Sequence, residues 1–422
     1  MRFRSLVALR VGVMRGLALL PVALVLACSN TPDAGISDAA FFPRDKSDPP
    51  RIQFLRGLNG SIDIVPKRSS VVSFLAGREE GEDYVVEKPF AVASDKDRVY
   101  VTDSFGAQGL AVFQLAQRGF YLLGKTRGGG YLRKPIHIFV DEAGNKFVSD
   151  KLRRQVVMFG PDDAFIRSYG DEEYTPVASV VHGDELFVLD ITDDPDPEDE
   201  NLQHRRDQIA VVDLNTGAVV RRIGQNGYGH DGFSFATHMS IDRLGNLYVA
   251  DTNNYRILKI DREGRVLAEF GRNGDRPGDF HKIKGVAVDR DGLIYVVDAA
   301  FQVVQVFDNA GTPLFAFGGH TVEVGPMDLP AGIWIDYENV ELFRDQIADD
   351  FEAEYLVYVA NQLSRTCRIG VYAFGKRRGF EYPAMTELKL LDENDDVEWK
   401  LPVFPPNVTQ PKLQGVLPES GD

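Results

Sequence analysis

The sequence predicts an all-β fold, a β-propeller of six four-stranded antiparallel blades, and three observations predict it. The first is the stretch 236–271, ATHMSIDRLGNLYVADTNNYRILKIDREGRVLAEFG, which divides into apolar runs at 239–241, 247–250, 256–260 and 265–270. Short runs rich in Val, Ile, Leu and aromatics, bounded by Gly, Asp and Asn, are strands. The Asp-x-x-Gly links at 242–245 and 261–264 fit hairpins on a type I turn, with Gly245 and Gly264 in the left-handed position. The second observation is that these runs are apolar at nearly every position, so both faces of the sheet need cover. The third is repetition: Asp242 and Asp289, Asp251 and Asp298, Gly271 and Gly318, Asp103 and Asp150, and Gly77 and Gly124 are each 47 residues apart. A fixed period of this size with four strands per unit is the signature of a propeller.

The chain opens with a basic leader. Arg2, Arg4, Arg10 and Arg15 precede the apolar run 17–27 and then Cys28, so residues 1–27 read as a secretory signal peptide, with an apolar run too short to rely on as a membrane span. The ending Val25-Leu26-Ala27-Cys28 resembles the bacterial lipobox, which implies a lipid on Cys28. Ser29 follows, not Asp, and the resemblance then implies sorting to the outer membrane. Residues 28–50, with four prolines among small and charged residues, read as a flexible tether.

Residues 51–380 carry the propeller. The run 51–55 has no assigned place, while 71–77 (VVSFLAG) matches the last strand of a unit before any unit has begun. Units follow at 89–124, 135–170, 176–224, 236–271, 285–318 and from 330 to 374. The sixth has three clear strands, so the orphan strand at 71–77 is expected to complete it and close the ring without an open edge. Insertions at 193–200 (DDPDPEDE) in the third unit and 339–354 in the sixth are expected to project from the rim, the second with a short helical turn. Residues 381–422 read as an irregular tail.

Composition narrows the partners. The chain carries a formal charge of −16, and removing four leader arginines from 47 basic residues leaves 43 against 63 acids, or −20. Such a chain is a poor partner for nucleic acid or an anionic membrane, so any membrane contact is expected through the lipid alone. The chain has two Cys. If Cys28 is lipidated, Cys367 remains single in an apolar run and fits a small buried hydrophobe. There is no haem-attachment motif and no Gly-x-Ser-x-Gly or His-Glu-x-x-His, and no cofactor is expected.

The pattern Gly-Val-Ala-Val-Asp-x-x-Gly-x-Ile-Tyr-Val-Val-Asp at 285–298 resembles the NHL repeat of six-bladed propellers. The fourth unit adds Asp251-x-x-Asn254-x-Arg256-Ile257, the fuller form of the motif. That resemblance implies the fold and leaves function open, since such propellers include scaffolds and enzymes. The Asp ending strand two (Asp103, Asp150, Asp190, Asp251 and Asp298, with Asn361 in the sixth unit) recurs in five blades, so it is expected to serve each unit by accepting backbone N–H bonds in the following turn. His137 and His238 hold one template position, before the first strand of units two and four, which the resemblance places at the mouth of the central channel. Some propellers of this kind are lyases, one of which holds zinc through three channel histidines. Here the third place is Gly332, and His281 and His320 lie in interblade loops. Two histidines fall short of the three protein ligands usual for catalytic zinc, so neither a metal nor a catalytic residue is assigned.

The resulting expectation is an outer-membrane lipoprotein propeller acting as a non-catalytic protein-binding scaffold. Lipoproteins of this description resemble those beside surface multihaem cytochromes, which implies a place in a cell-surface or extracellular electron-transfer assembly. The alternatives are a metal-dependent lyase or hydrolase at the channel mouth, and a glycan-binding module.

Overall fold

The computed structural model describes residues 40–43, 48–66, 84–106, 109–170, 175–195, 203–320 and 324–382, without the side chains of 192–195 and 203–206. The expected leader, the lipid site at Cys28, most of the tether and nearly all of the tail fall outside them. Six sheets are arranged as blades. Blade 1 contains Pro89–Asp95, Arg98–Asp103, Leu110–Gln114 and Gly119–Leu123, each paired antiparallel with the next. Blades 2 to 5 repeat this meander, beginning at Pro135–Val140, Pro176–His182, Ala236–Ile241 and Ile283–Val288. The hairpin glycines take the left-handed conformation, with φ of 86° at Gly245 and 92° at Gly264.

The apolar runs have no polar face because each sheet is covered on both sides. In strand two of blade 4, Leu247 and Val249 pack in a cluster with Val180, Phe187 and Leu189 of blade 3. Their neighbours Tyr248 and Ala250 point the other way, into a cluster with Val286, Ile294 and Val296 of blade 5. The same exchange occurs between blades 1 and 2, 2 and 3, 5 and 6, and 6 and 1. Burying each Val or Leu here contributes about 1.5–3 kcal/mol. Strand tyrosines fit this core because their hydroxyls find partners: Tyr248 donates to Asp242 of its own blade at 3.2 Å and Tyr358 to Asp336 at 3.1 Å, while Tyr355 reaches across to Asp289 of blade 5 at 2.9 Å.

An N-terminal strand closes the ring, as expected, but a different one from that expected. The edge of blade 6 is taken by Ile52–Leu58, which pairs antiparallel with Ile369–Arg377 from Ile52 opposite Phe374 to Leu58 opposite Ile369. Phe41–Phe42, inside the stretch read as tether, adds a further pair outside it, and both rings are buried. The expected strand at 71–77 lies outside the described residues. Composition was misleading at this edge: Arg56 and Gly57 interrupt the apolar pattern of IQFLRGL, and a bulge falls between Phe54 and Arg56. The interruption has a use. A Cβ on Gly57 would come within 2.8 Å of the Thr366 carbonyl oxygen, so only glycine allows this approach. Gln53 completes the latch, donating from Nε2 to the Gln346 carbonyl at 2.8 Å and accepting from Ala348 N–H at 3.0 Å.

Both insertions differ from a simple rim projection. In blade 3 the ladder continues through the start of the acidic stretch, with strands Glu185–Pro195 and Gln203–Asp213 paired out to Pro195 opposite Gln203. In blade 6 the helical turn is a 3-10 segment, Val340–Gln346, whose Phe343 is buried in the cluster between blades 6 and 1. The next strand starts at Phe351, earlier than the apolar run alone suggests.

Because every first strand runs the same way, the disc has two chemically distinct faces. Hairpins joining strands one to two and three to four lie on one, the hairpin face. Loops joining strands two to three, with the interblade connections, lie on the other, the loop face.

Candidate functional site

The innermost strands define the centre of the disc. All six carry a bulge near their start, for example between Pro135 and His137, between Ala236 and His238, and between Ile283 and Gly285. A bulge re-aims a side chain. The residue it presents is Ala91, His137, Ala178, His238, Gly285 and Gly332 in blades 1 to 6. In blades 5 and 6 there is no room for anything larger than glycine. A Cβ on Gly285 would lie 2.2 Å from the Ala331 oxygen, and one on Gly332 would lie 2.6 Å from Ala91 Cα. On the other side His137 and His238 meet edge to face, their ring centroids 4.7 Å apart and interplanar angle 70°.

Both imidazoles are buried, at 2% and 5% exposure. Burial, then the neighbouring His238, holds His137 well below the usual imidazole range. Burial pushes His238 down to about 4, opposed by a hydrogen bond with the Val286 backbone. Ser179 N–H donates to His137 Nδ1 at 3.3 Å, which leaves the proton of the neutral ring on Nε2. His238 Nδ1 is buried without a hydrogen-bond partner among the described residues. The pair is therefore neutral at pH 7 and packed like a core element. His281 contacts Asn273 and Asp275, and His320 contacts Asp328, each within its own interblade loop. Among the described residues no three His, Cys, Asp or Glu side chains gather as a metal site.

In blades 1, 2 and 5 the repeated aspartate closes the turn after strand two and also does more, whereas Asp251 meets that turn through Asn254 Nδ2. Asp298 accepts from Ala300 and Phe301 N–H in that turn, and also from His281 and Lys282 N–H ahead of its own first strand. Asp103 does the same with Phe105 and Gly106, then Glu87 and Lys88. Asp150 takes Arg133, Lys134 and Arg153; Asp190 takes Thr175; and Asp251 takes Ser234. Each carboxylate thus pins the entry of its blade to the loop beside it. Arg256 extends the Asp251 knot to Glu269 and to the Gly229 and Gly232 carbonyls.

That pinning fixes what the loop face displays. Two residues after the strand-two Asp or Asn stand Phe105, Leu152 and Leu363, in blades 1, 2 and 6, which are neighbours in the ring. They are 70%, 52% and 60% exposed. Around them lie lysines at the entry of first strands: Lys88, Lys134, Lys282 and Lys284. Sequence reading passed over both sets, although each sits at a fixed offset from the repeated Asp or from the start of a first strand.

The hairpin face holds a different feature, also missed. Lys146 is fully buried and its Nζ lies 3.0 Å from Asp95 and 2.9 Å from Asp163, with the Gly160 carbonyl at 3.0 Å. Arg98 and Tyr100 bind the same two carboxylates. The signal was a lysine opening strand two where other blades have Val99, Leu247 and Ile294. Beside this network a cavity of about 200 Å³, lined by Asp95, Arg98, Asp141, Trp334 and Tyr337, opens between blades 6, 1 and 2.

No protein-family model and no curated protein sequence matches the chain. Solved structures do. The chain is similar to a protein of unknown function from Bacteroides thetaiotaomicron, at TM-score 0.51 and 12% identity, over 76% of this chain and 75% of that one. It is also similar to a gluconolactonase of Xanthomonas campestris (TM-score 0.48, 13% identity, 80% of this chain and 92% of that one). A streptogramin B lyase matches at TM-score 0.46 and 11% identity, over 69% and 95%. These likenesses concern the fold alone.

Proposed function

We propose that this chain is an NHL-type lipoprotein propeller, anchored through Cys28 in the outer membrane, which docks another envelope protein and performs no chemistry itself. One observation carries the reading: three adjacent blades raise an exposed apolar side chain, Phe105, Leu152 and Leu363, at the same template position on one face. An isolated exposed apolar residue is ordinary; three on neighbouring loop tips form a set of anchors, the loops of Phe105 and Leu152 held by buried Asp103 and Asp150, and Leu363 by its N–H to the Asp328 carbonyl. The centre of the disc offers less, because its two imidazoles face each other and not solvent.

The test is a pull-down from detergent-solubilised outer membrane with a metal assay on the same sample. A specific protein lost on F105S/L152S/L363S supports docking. The metal-dependent alternative rests on the unpartnered Nδ1 of His238 beside His137. It demands about one equivalent of zinc that disappears in H137A/H238A. For the anchor, Cys28→Ser should release the protein from membranes, and unchanged retention would refute lipidation as the attachment.

A further inference from the structure

The loop face carries a second feature beside its apolar tips. Lys284 is half-buried, and its Nζ donates to Gln362 Oε1 of blade 6 at 2.7 Å. Burial, then the like charges of Lys282 and of Lys88 beyond blade 6, pushes its pKa down to about 8. Lys284 thus reaches from blade 5 to the loop after strand two of blade 6, with Lys282 two residues before it, and Lys88 precedes the first strand of blade 1 on the other side of blade 6. Among the described residues none of the three forms an ion pair with a carboxylate. Lys88 Nζ instead lies 4.8 Å from the centroid of the exposed Phe105 ring. A chain with a formal charge of −16 has acids to spare, yet among the described residues none is paired with these cations.

We infer that Lys88, Lys282 and Lys284 form a carboxylate-binding site, and that its occupant is an acidic, apolar-bearing peptide segment of the docked protein. This rests on the docking reading above and supplies its charge chemistry. The lysines take the carboxylates, while Phe105, Leu363 and Leu152 take apolar side chains along a path across blades 6, 1 and 2. Lys284 gains most, because an incoming anion offsets both its desolvation and its like-charged neighbours. The opposite face is mixed in charge, with exposed Glu142, Asp184, Asp291 and Glu338 beside Lys96, Arg243, Arg262 and Arg290. A peptide suits the site better than a flat anionic bilayer, since the apolar tips are single side chains spaced one per blade.

The experiment uses the full detergent-solubilised chain and a labelled dodecapeptide, (Glu-Phe-Glu-Gly)3, with (Lys-Phe-Lys-Gly)3 as its charge-reversed counterpart. The acidic peptide should bind at about 50 mM salt and weaken by about tenfold or more at about 500 mM. K88E/K282E/K284E should abolish binding and K88Q/K282Q/K284Q should weaken it about tenfold, both with unchanged thermal unfolding. Binding of both peptides alike, or undiminished binding by the neutralised variant, would overturn the assignment. So would binding of phosphatidylglycerol vesicles or inorganic phosphate without binding of the peptide. Acidic-peptide binding that appears only after residues 383–422 are removed would make the chain's own tail the occupant and also overturn it. If the peptide fails while F105S/L152S/L363S still abolishes protein capture, the docking reading survives and only its charge chemistry falls.

Discussion

The two faces of this disc come from one repeat, but their aspartates are used differently. On the hairpin face, acids cap tight turns near solvent: Asp308 accepts from Ala310 and Thr312 N–H, and Asp242 from Leu244 and Asn246. Asp242 and Asp308 stay near the surface, while Asp261, Asp289 and Asp336 in equivalent turns are buried. On the loop face the carboxylates are buried, and Asp103, Asp150 and Asp298 each accept three or four N–H groups from two separate stretches of chain. Their charge is absorbed, and lysines and single apolar side chains reach solvent there, among exposed residues that include Glu87, Asp231, Asp275 and Arg272. The same residue type thus caps hairpin turns on one face and ties loops to blade entries on the other.

The largest expected effect tests the hairpin side of this contrast. Lys146→Ala leaves Asp95 and Asp163 facing each other in a buried setting with only Arg98 as cation, and should cost about 3–5 kcal/mol in denaturant unfolding. Lys146→Met should not rescue it, because the unmatched charge and not the lost volume sets the cost.

The centre of the disc gives the next effect, and it depends on pH. His238 titrates near 6.5 when unfolded and at about 4 when folded, so between these values the unfolded chain binds more protons. Stability contributed by the neutral ring is complete above pH 6.5 and is lost as pH falls toward 4. The loss amounts to about 3 kcal/mol for His238, and the depressed pKa of His137 adds in the same direction. Chemical denaturation of H238Q across this window should show a shallower decline than that of the original chain. An equal slope would mean that the imidazoles are solvated in the channel.

A third prediction compares the faces directly. Asp298→Ala strands buried N–H groups on both sides of the blade entry and should cost about 2–3 kcal/mol. Asp308→Ala uncaps a turn whose amides can turn to water, and should cost about 1 kcal/mol. The smallest effect belongs to F105S/L152S/L363S, whose side chains already stand in water and whose stability change should stay within about 0.5 kcal/mol.

Much of the fold was legible because repetition amplifies weak local signals. Asp-x-x-Gly at 242–245 says little alone, but its return at 289–292 fixes a blade. Residues that depart from the template were harder to read. Ile52–Leu58 closes the ring through Arg56, Gly57 and a bulge, none of which looks like an edge strand, while the more apolar 71–77 drew attention instead. His137 and His238 were recognisable as sharing one position, but their contact depends on Gly285 and Gly332 letting three backbones close together opposite them. Lys146 and the anchors Phe105, Leu152 and Leu363 were single-letter departures whose meaning needed the ring to bring neighbouring blades side by side.

The most direct test of the central claim is one comparative capture from solubilised envelope, using the original chain, F105S/L152S/L363S and E142K/D291K in parallel. The account predicts one specific protein partner, lost with the loop-face substitutions and kept with those on the hairpin face. Capture that ignores the loop face but fails with the hairpin-face substitutions would contradict it.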